Sequence, residues 1–209
     1  FLGGLMIQHF LNPLHLLRNY NMNKNINPLK TENLKEIAAN EANLHDFGDP
    51  LHMEGLEKLC FSLENEAYLN DVGRIAQQSR LIGILVNRLR INEDLIKNPE
   101  IKDEEIKDPI FIVGLPRTGS TMTHRLLASD INHTSMIWWE GRNPARFPRE
   151  KRGNPKKRIA FGRQEVKTLI ETSPDLLKIH PMDAMAPDEE ILLIEHCFFS
   201  TVPESFMYV

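Results

Sequence analysis

Apolar and polar positions alternate with helical period through the first half of the chain. A helix is expected over residues 31–46, with Thr31 as its N-cap and Glu32 in its first turn. The run Gly48-Asp49-Pro50 stops it. Leu56, Leu59, Cys60, Leu63 and Ala67 then recur at i, i+3, i+4 and i+7, the mark of an amphipathic helix. Asn70-Asp71 can cap a third helix, in which Ile75, Ile82, Val86 and Leu89 hold one face and Arg74, Arg80, Arg88 and Arg90 decorate the rest. Residues 92–108 are dense in charge, include Pro99, and read as a surface connector.

The pattern changes at Pro109. Ile110 to Val113 is a short, mainly β-branched apolar run, the composition of a strand buried on both faces. Ser120 and Thr121 open a helix whose Met122, Leu126 and Leu127 can share one face. Ser135 to Glu140 reads as a second short strand running into a loop. Lys157 to Leu177 predicts one or two helices with Ile159, Val166, Leu169 and Ile170 inward, broken at Ile179-His180-Pro181. Pro187-Asp188-Glu189-Glu190 suits the start of a last helix, because proline fits a first turn and acids fit the positive end. The expected fold class is α/β: a P-loop-like parallel sheet flanked by helices, with an N-terminal helical region. The expected organisation is a helical region with charged connector over 1–107 and a sheet-containing domain over 108–209.

Composition adds limits. The chain has 209 residues, 41% hydrophobic and 26% charged, enough for a sizeable core. A net charge of −4 gives no general pull toward nucleic acid. Cys60 and Cys197, each flanked by apolar residues, read as core fillers rather than a disulfide or metal pair. No run reaches the ~18 apolar residues of a membrane span. The apolar Phe1–Leu11 lacks a basic leader and is followed by Pro13. A cytoplasmic location is expected.

The candidate chemistry sits where strand meets helix. In Gly114-Leu-Pro-Arg-Thr-Gly119-Ser-Thr121 the glycines permit a tight turn, and the following N–H groups with the helix dipole attract an anion. The spacing approaches a Walker A loop, but Ser120 stands where that loop carries its lysine, and the loop's cation is Arg117. Hydrolysis of a nucleoside triphosphate is therefore disfavoured. Between Arg142 and Arg158 lie eight basic residues and one acid, Glu150, interrupted by Pro144, Pro148, Gly153 and Pro155. This stretch is a cationic loop that is either simply solvated or attracts an anionic substrate. Only Phe147 is available there for base stacking, so nucleic acid is not an expected partner.

The run Pro116-Arg117-Thr118-Gly119-Ser120-Thr121 resembles the 5′-phosphosulfate loop of sulfotransferases that use PAPS (3′-phosphoadenosine 5′-phosphosulfate). Gly55-Leu-Glu57, Glu66-Ala-x-Leu69, Arg88-Leu-Arg-Ile91, Arg125 to Asp130, Trp139-Glu140 with Pro144, Ile179-His-Pro181 and Pro187 to Glu190 follow the order of a bacterial-type sulfotransferase family. The cationic loop is longer than that family leads one to expect. The resemblance implies PAPS as co-substrate, no metal, and transfer to a hydroxyl or amine on a small molecule, glycan or lipid. It implies Pro116 to Thr121 for donor binding, Arg117 at the sulfuryl group, and Glu140 or else His180 as general base, with Trp138 and Trp139 either walling the acceptor or filling the core. It further implies that the C-terminal half of the domain, which carries the 3′-phosphate site, is absent. Two alternatives stay open: a P-loop kinase or other NTP-binding protein, and a non-catalytic helical module with a degenerate loop.

Overall fold

The computed structural model describes residues 28–115 and 118–200. Its helices are α1 (Thr31–Ala42), α2 (His52–Asn65), α3 (Asp71–Lys97), α4 (Ser120–Leu127), α5 (Trp138–Arg142), α6 (Lys156–Thr172), α7 (Leu176–Ile179) and α8 (Ile191–Ile194), with 3-10 turns at Pro99–Asp103 and Glu195–Cys197. The chain divides into two compact units. One holds the residues up to Glu93 together with those from Ile191 on; the other is Asp94–Glu190.

The first unit is built as its periodicity predicts. Leu34 and Ala38 of α1, Leu56, Cys60 and Leu63 of α2, and Leu81, Leu85, Val86 and Leu89 of α3 form one core, closed by Leu29 and Phe198. The α3 N-terminus is capped as its sequence suggests, by Gly73 N–H donating to Asn70 Oδ1 at 2.8 Å. At the other end α3 runs to Lys97, into the stretch read as connector, because Ile91 and Leu95 extend its apolar pattern across the charges. Helix α1 ends four residues early, where Asn43 takes a left-handed conformation (φ 53°) and its N–H reaches Ala39 O. Cys60 is buried, which pushes its thiol up to about 11. Cys197 is exposed, so the core-filler reading fails there.

One charge pair in this unit has its carboxylate closed to water. Glu195, 1% exposed, accepts from Arg80 Nε at 2.6 Å. Arg80→Met should destabilise the protein by about 3–5 kcal/mol, because the carboxylate stays buried without its guanidinium. Urea unfolding would read this as a lower midpoint at unchanged slope. Adding Glu195→Gln should recover much of the loss.

The parallel sheet expected from the sequence is not present among the described residues. Ile110–Val113 has no strand partner, and its side chains are open to solvent, with Phe111 82% and Val113 91% exposed. A strand is held by a ladder of backbone bonds to a neighbour, and none of the described segments supplies one. Residues 135–140 are not a strand either. Only Ile137 makes an isolated antiparallel bridge, to Pro187, and the helix α5 starts at Trp138.

The second unit is held instead by helix packing and by one laced segment. Trp138 and Trp139 of α5 are buried against α6, where a Cβ added at Gly162 would lie 2.7 Å from Trp139 Cβ. Only glycine allows this approach. Trp138 N–H donates to Ala186 O at 3.0 Å, Trp139 N–H to Ala184 O at 3.2 Å, and Asp188 N–H to Met136 O at 3.2 Å. These bonds tie the segment after α7 to the start of α5.

Candidate functional site

The loop after Val113 leads into a helix start with no side-chain cap. Thr118 Oγ1 donates to Leu115 O at 2.7 Å, closing the turn. A Cβ on Gly114 would come within 2.8 Å of that hydroxyl, so glycine is needed there for space. Gly119 is the N-cap residue with φ 91°, a conformation open to glycine and strained for other residues. Thr123 N–H then bonds Gly119 O at 3.0 Å, as the first intrahelical bond of α4. The N–H groups of the residues between have no partner within the helix by its geometry, and the dipole favours an anion beside them. Pro116 and Arg117, the sequence's proposed donor contacts in this loop, lie outside the described residues.

A cavity of about 590 Å³ opens at this helix start. Gly119, Ser120, Thr121, Met122 and Arg125 line it from α4, and Leu177, Lys178 and Pro181 line it from the segment around α7. Two cations therefore border it. Arg125 Nη2 donates to Pro181 O at 2.6 Å, and its Nε is buried without a partner among the described residues. Lys178 is exposed and pairs with Asp175 at 2.6 Å. Gly119, Ser120 and Thr121, among the residues expected to bind an anion, thus share one place with two basic side chains to which the sequence reading gave no role in the site.

His180 follows this lining directly. Its Nε2 lies 3.3 Å from Asp188 Oδ2, and Asp188 is buried, at 7% exposure. The hydrogen bond that the ring donates to Asp188 raises the imidazole pKa above its usual value, against a smaller opposing effect of burial. Asp188 is itself fixed, since its Oδ1 accepts from Glu189 N–H at 2.8 Å. In this pair the carboxylate of Asp188 orients the imidazole ring.

Glu140 is occupied differently. Its Oε2 accepts from Ile137 N–H at 3.3 Å, which caps α5. The tryptophans beside it are core residues, 3% and 5% exposed, with the Arg142 guanidinium over Trp138 and that of Arg158 over Trp139 at 5.0 Å. Of the two readings open for Trp138 and Trp139, the structure selects the core.

Asp188 had no signal that sequence could isolate. Eight residues along a helix or a strand would separate it from His180 by about 12 Å or more, and the pair forms because the chain turns between them at Asp183–Ala186, where Ala186 N–H donates to Asp183 O at 3.1 Å. Among the described residues there is no group of three or more His, Cys, Asp or Glu that could hold a metal ion, and no helix long and apolar enough to cross a membrane.

Residues 109–209 match the model of the sulfotransferase family. No curated protein matches the chain. Two solved structures do. Sulfotransferase STF1 from Mycobacterium tuberculosis is 27% identical, with a TM-score of 0.65 over 86% of this chain and 50% of its own. Sulfotransferase STF9 from Mycobacterium avium is 22% identical, with a TM-score of 0.72 over 88% of this chain and 47% of its own. The chain spans about half the length of each.

Proposed function

We propose, from the match of residues 109–209 to the model of the sulfotransferase family, that this protein takes part in transfer of a sulfuryl group from PAPS to a hydroxyl or amine. The single observation that carries the reading is the uncapped start of α4 facing a cavity bordered by Arg125 and Lys178. The N–H groups and hydroxyls from Thr118 to Thr121 would hold the 5′-phosphate end of the donor. Arg117 would stand at the sulfuryl group, where a fixed guanidinium can balance charge developing on the departing oxygen.

His180 is the proposed proton acceptor. The acceptor oxygen or nitrogen forms the new bond to sulfur as the bond from sulfur to the bridging phosphate oxygen breaks. The proton released from the acceptor passes to the unprotonated ring nitrogen, and Asp188 stabilises the resulting imidazolium. Glu140, whose carboxylate already caps α5, fits a positioning task better than proton transfer. The variable surroundings of such sites set acceptor choice, so the acceptor class stays as broad as hydroxyls and amines on small molecules, glycans or lipids.

Titration calorimetry with adenosine 3′,5′-bisphosphate, in parallel with ATP and magnesium, tests the donor assignment. Metal-independent binding of the bisphosphate that Gly119→Val removes is the expected result. Binding of ATP with magnesium alone would replace this reading with that of a nucleoside triphosphate site. Binding of neither would leave the loop a structural turn.

A further inference from the structure

The basic stretch that the donor site leaves unused is sorted by charge. From Gly141 to Ile170 the chain holds two carboxylates, Glu150 and Glu165, and both turn inward. Glu150, its side chain 2% exposed, accepts from Arg158 Nε at 2.8 Å, while Glu165 accepts from Arg142 at 3.1 Å. Arg146 pairs with Asp94 at 2.7 Å. Three of the basic residues are thus consumed in internal pairs. Lys167 pairs with Glu171 at 3.8 Å on the surface of α6. The other six, Arg149, Lys151, Arg152, Lys156, Lys157 and Arg163, are all exposed, and none makes an ion pair among the described residues.

The loop that carries them has a defined shape. Arg158 Nη1 donates to Asn143 O and Pro144 O at 3.1 and 2.9 Å, and Lys157 Nζ to Pro148 O at 2.9 Å. Phe147 packs edge-on against Phe161 at 5.5 Å, so the one aromatic ring in the loop is turned into the unit. The outward face therefore carries six cations and no exposed carboxylate, although the whole chain is net −4.

We propose that this face, the loop 148–155 with the first two turns of α6, docks the protein onto an anionic lipid surface. Its composition chooses among polyanions. Sugars and nucleic-acid bases are recognised by stacking rings and by side chains that read hydrogen-bonding edges; this face offers no ring and, beyond Asn154, no amide. What remains is attraction by charge density, in which each basic residue near an anionic membrane contributes independently and acts within about a Debye length. With no apolar side chain larger than Pro148 exposed in the loop, the contact is peripheral and reversible. The inference goes beyond sulfuryl transfer and does not depend on it.

Vesicle flotation with the full chain tests it. Binding to phosphatidylserine-rich vesicles, absent with phosphatidylcholine alone and lost near 1 M salt where the Debye length is about 3 Å, is expected. Lys151→Glu with Arg152→Glu should weaken it by about tenfold or more. Lys156→Glu with Arg163→Glu, on the helix rather than the loop, should do the same, so a fold defect in one pair does not decide the matter. Millimolar inorganic phosphate should not compete. Equal binding to both vesicle types, no binding, unchanged affinity in both folded variants, full competition by phosphate, or capture by heparin or duplex DNA without vesicle binding would each overturn the proposal.

Discussion

His180→Asn is expected to lower kcat by about 10²–10⁴-fold, the span typical of a lost general base, with little change in the affinity for adenosine 3′,5′-bisphosphate. The reasoning starts from the pair with Asp188. A base accepts a proton only when neutral, so the rate should climb with pH through the raised pKa of His180 and level above it. Asp188→Asn removes the main cause of that rise. Its rate should fall, because the imidazolium loses its partner, and the remaining limb should move to lower pH. Stability has the opposite pH sense. The folded-state pKa is raised, so the ion pair's contribution is fully present below the unfolded value near 6.5 and disappears as pH rises through the folded value. Thermal melts of wild type and Asp188→Asn should therefore converge at alkaline pH and separate in acid. A pH–rate profile of Asp188→Asn that coincides with that of the wild type would remove His180 from the mechanism, and Glu140→Gln would then be the variant to assay.

What sequence could read here follows the range of the interactions. The packing of α2 and α3 is legible because Leu56, Cys60, Leu63, Leu85 and Leu89 repeat at helical spacing, and burial needs only that periodicity. The glycine turn at Gly119 is equally local: its left-handed backbone is a property of one residue. The sheet is not legible because a run such as Ile110–Val113 carries strand propensity but not whether a partner exists. Ser135–Glu140 failed for another reason. Apolar residues there suit either a strand or a helix, and the cap between Ile137 N–H and Glu140 settles it as helix. The basic loop looked uniform in sequence, yet Arg142, Arg146 and Arg158 are structural and their neighbours are not. That division depends on where Glu165, Asp94 and Glu150 fold to, which no spacing rule reveals.

Arg117→Ala should reduce sulfuryl transfer by about 10²–10³-fold, the loss seen when a fixed donor to developing negative charge is removed. Arg117 is the one charged side chain in the sequence from Gly114 to Thr121, and Ser120 takes the place a nucleotide-binding loop gives to lysine. On the proposed reading, balancing charge on the oxygen leaving sulfur falls to the guanidinium at 117. Since that charge grows only as the bond breaks, kcat should fall more than donor affinity. Arg117→Lys separates charge from geometry. A lysine keeps the positive charge as a single point but loses the planar fork, so it should recover part of the rate and not all of it. Single-turnover transfer measured for both variants, beside bisphosphate titration, distinguishes the outcomes. Equal losses in binding and rate would make Arg117 a docking residue for the phosphate. Undiminished turnover in Arg117→Ala would remove the donor loop from the chemistry, because no other cation in that loop can take its place.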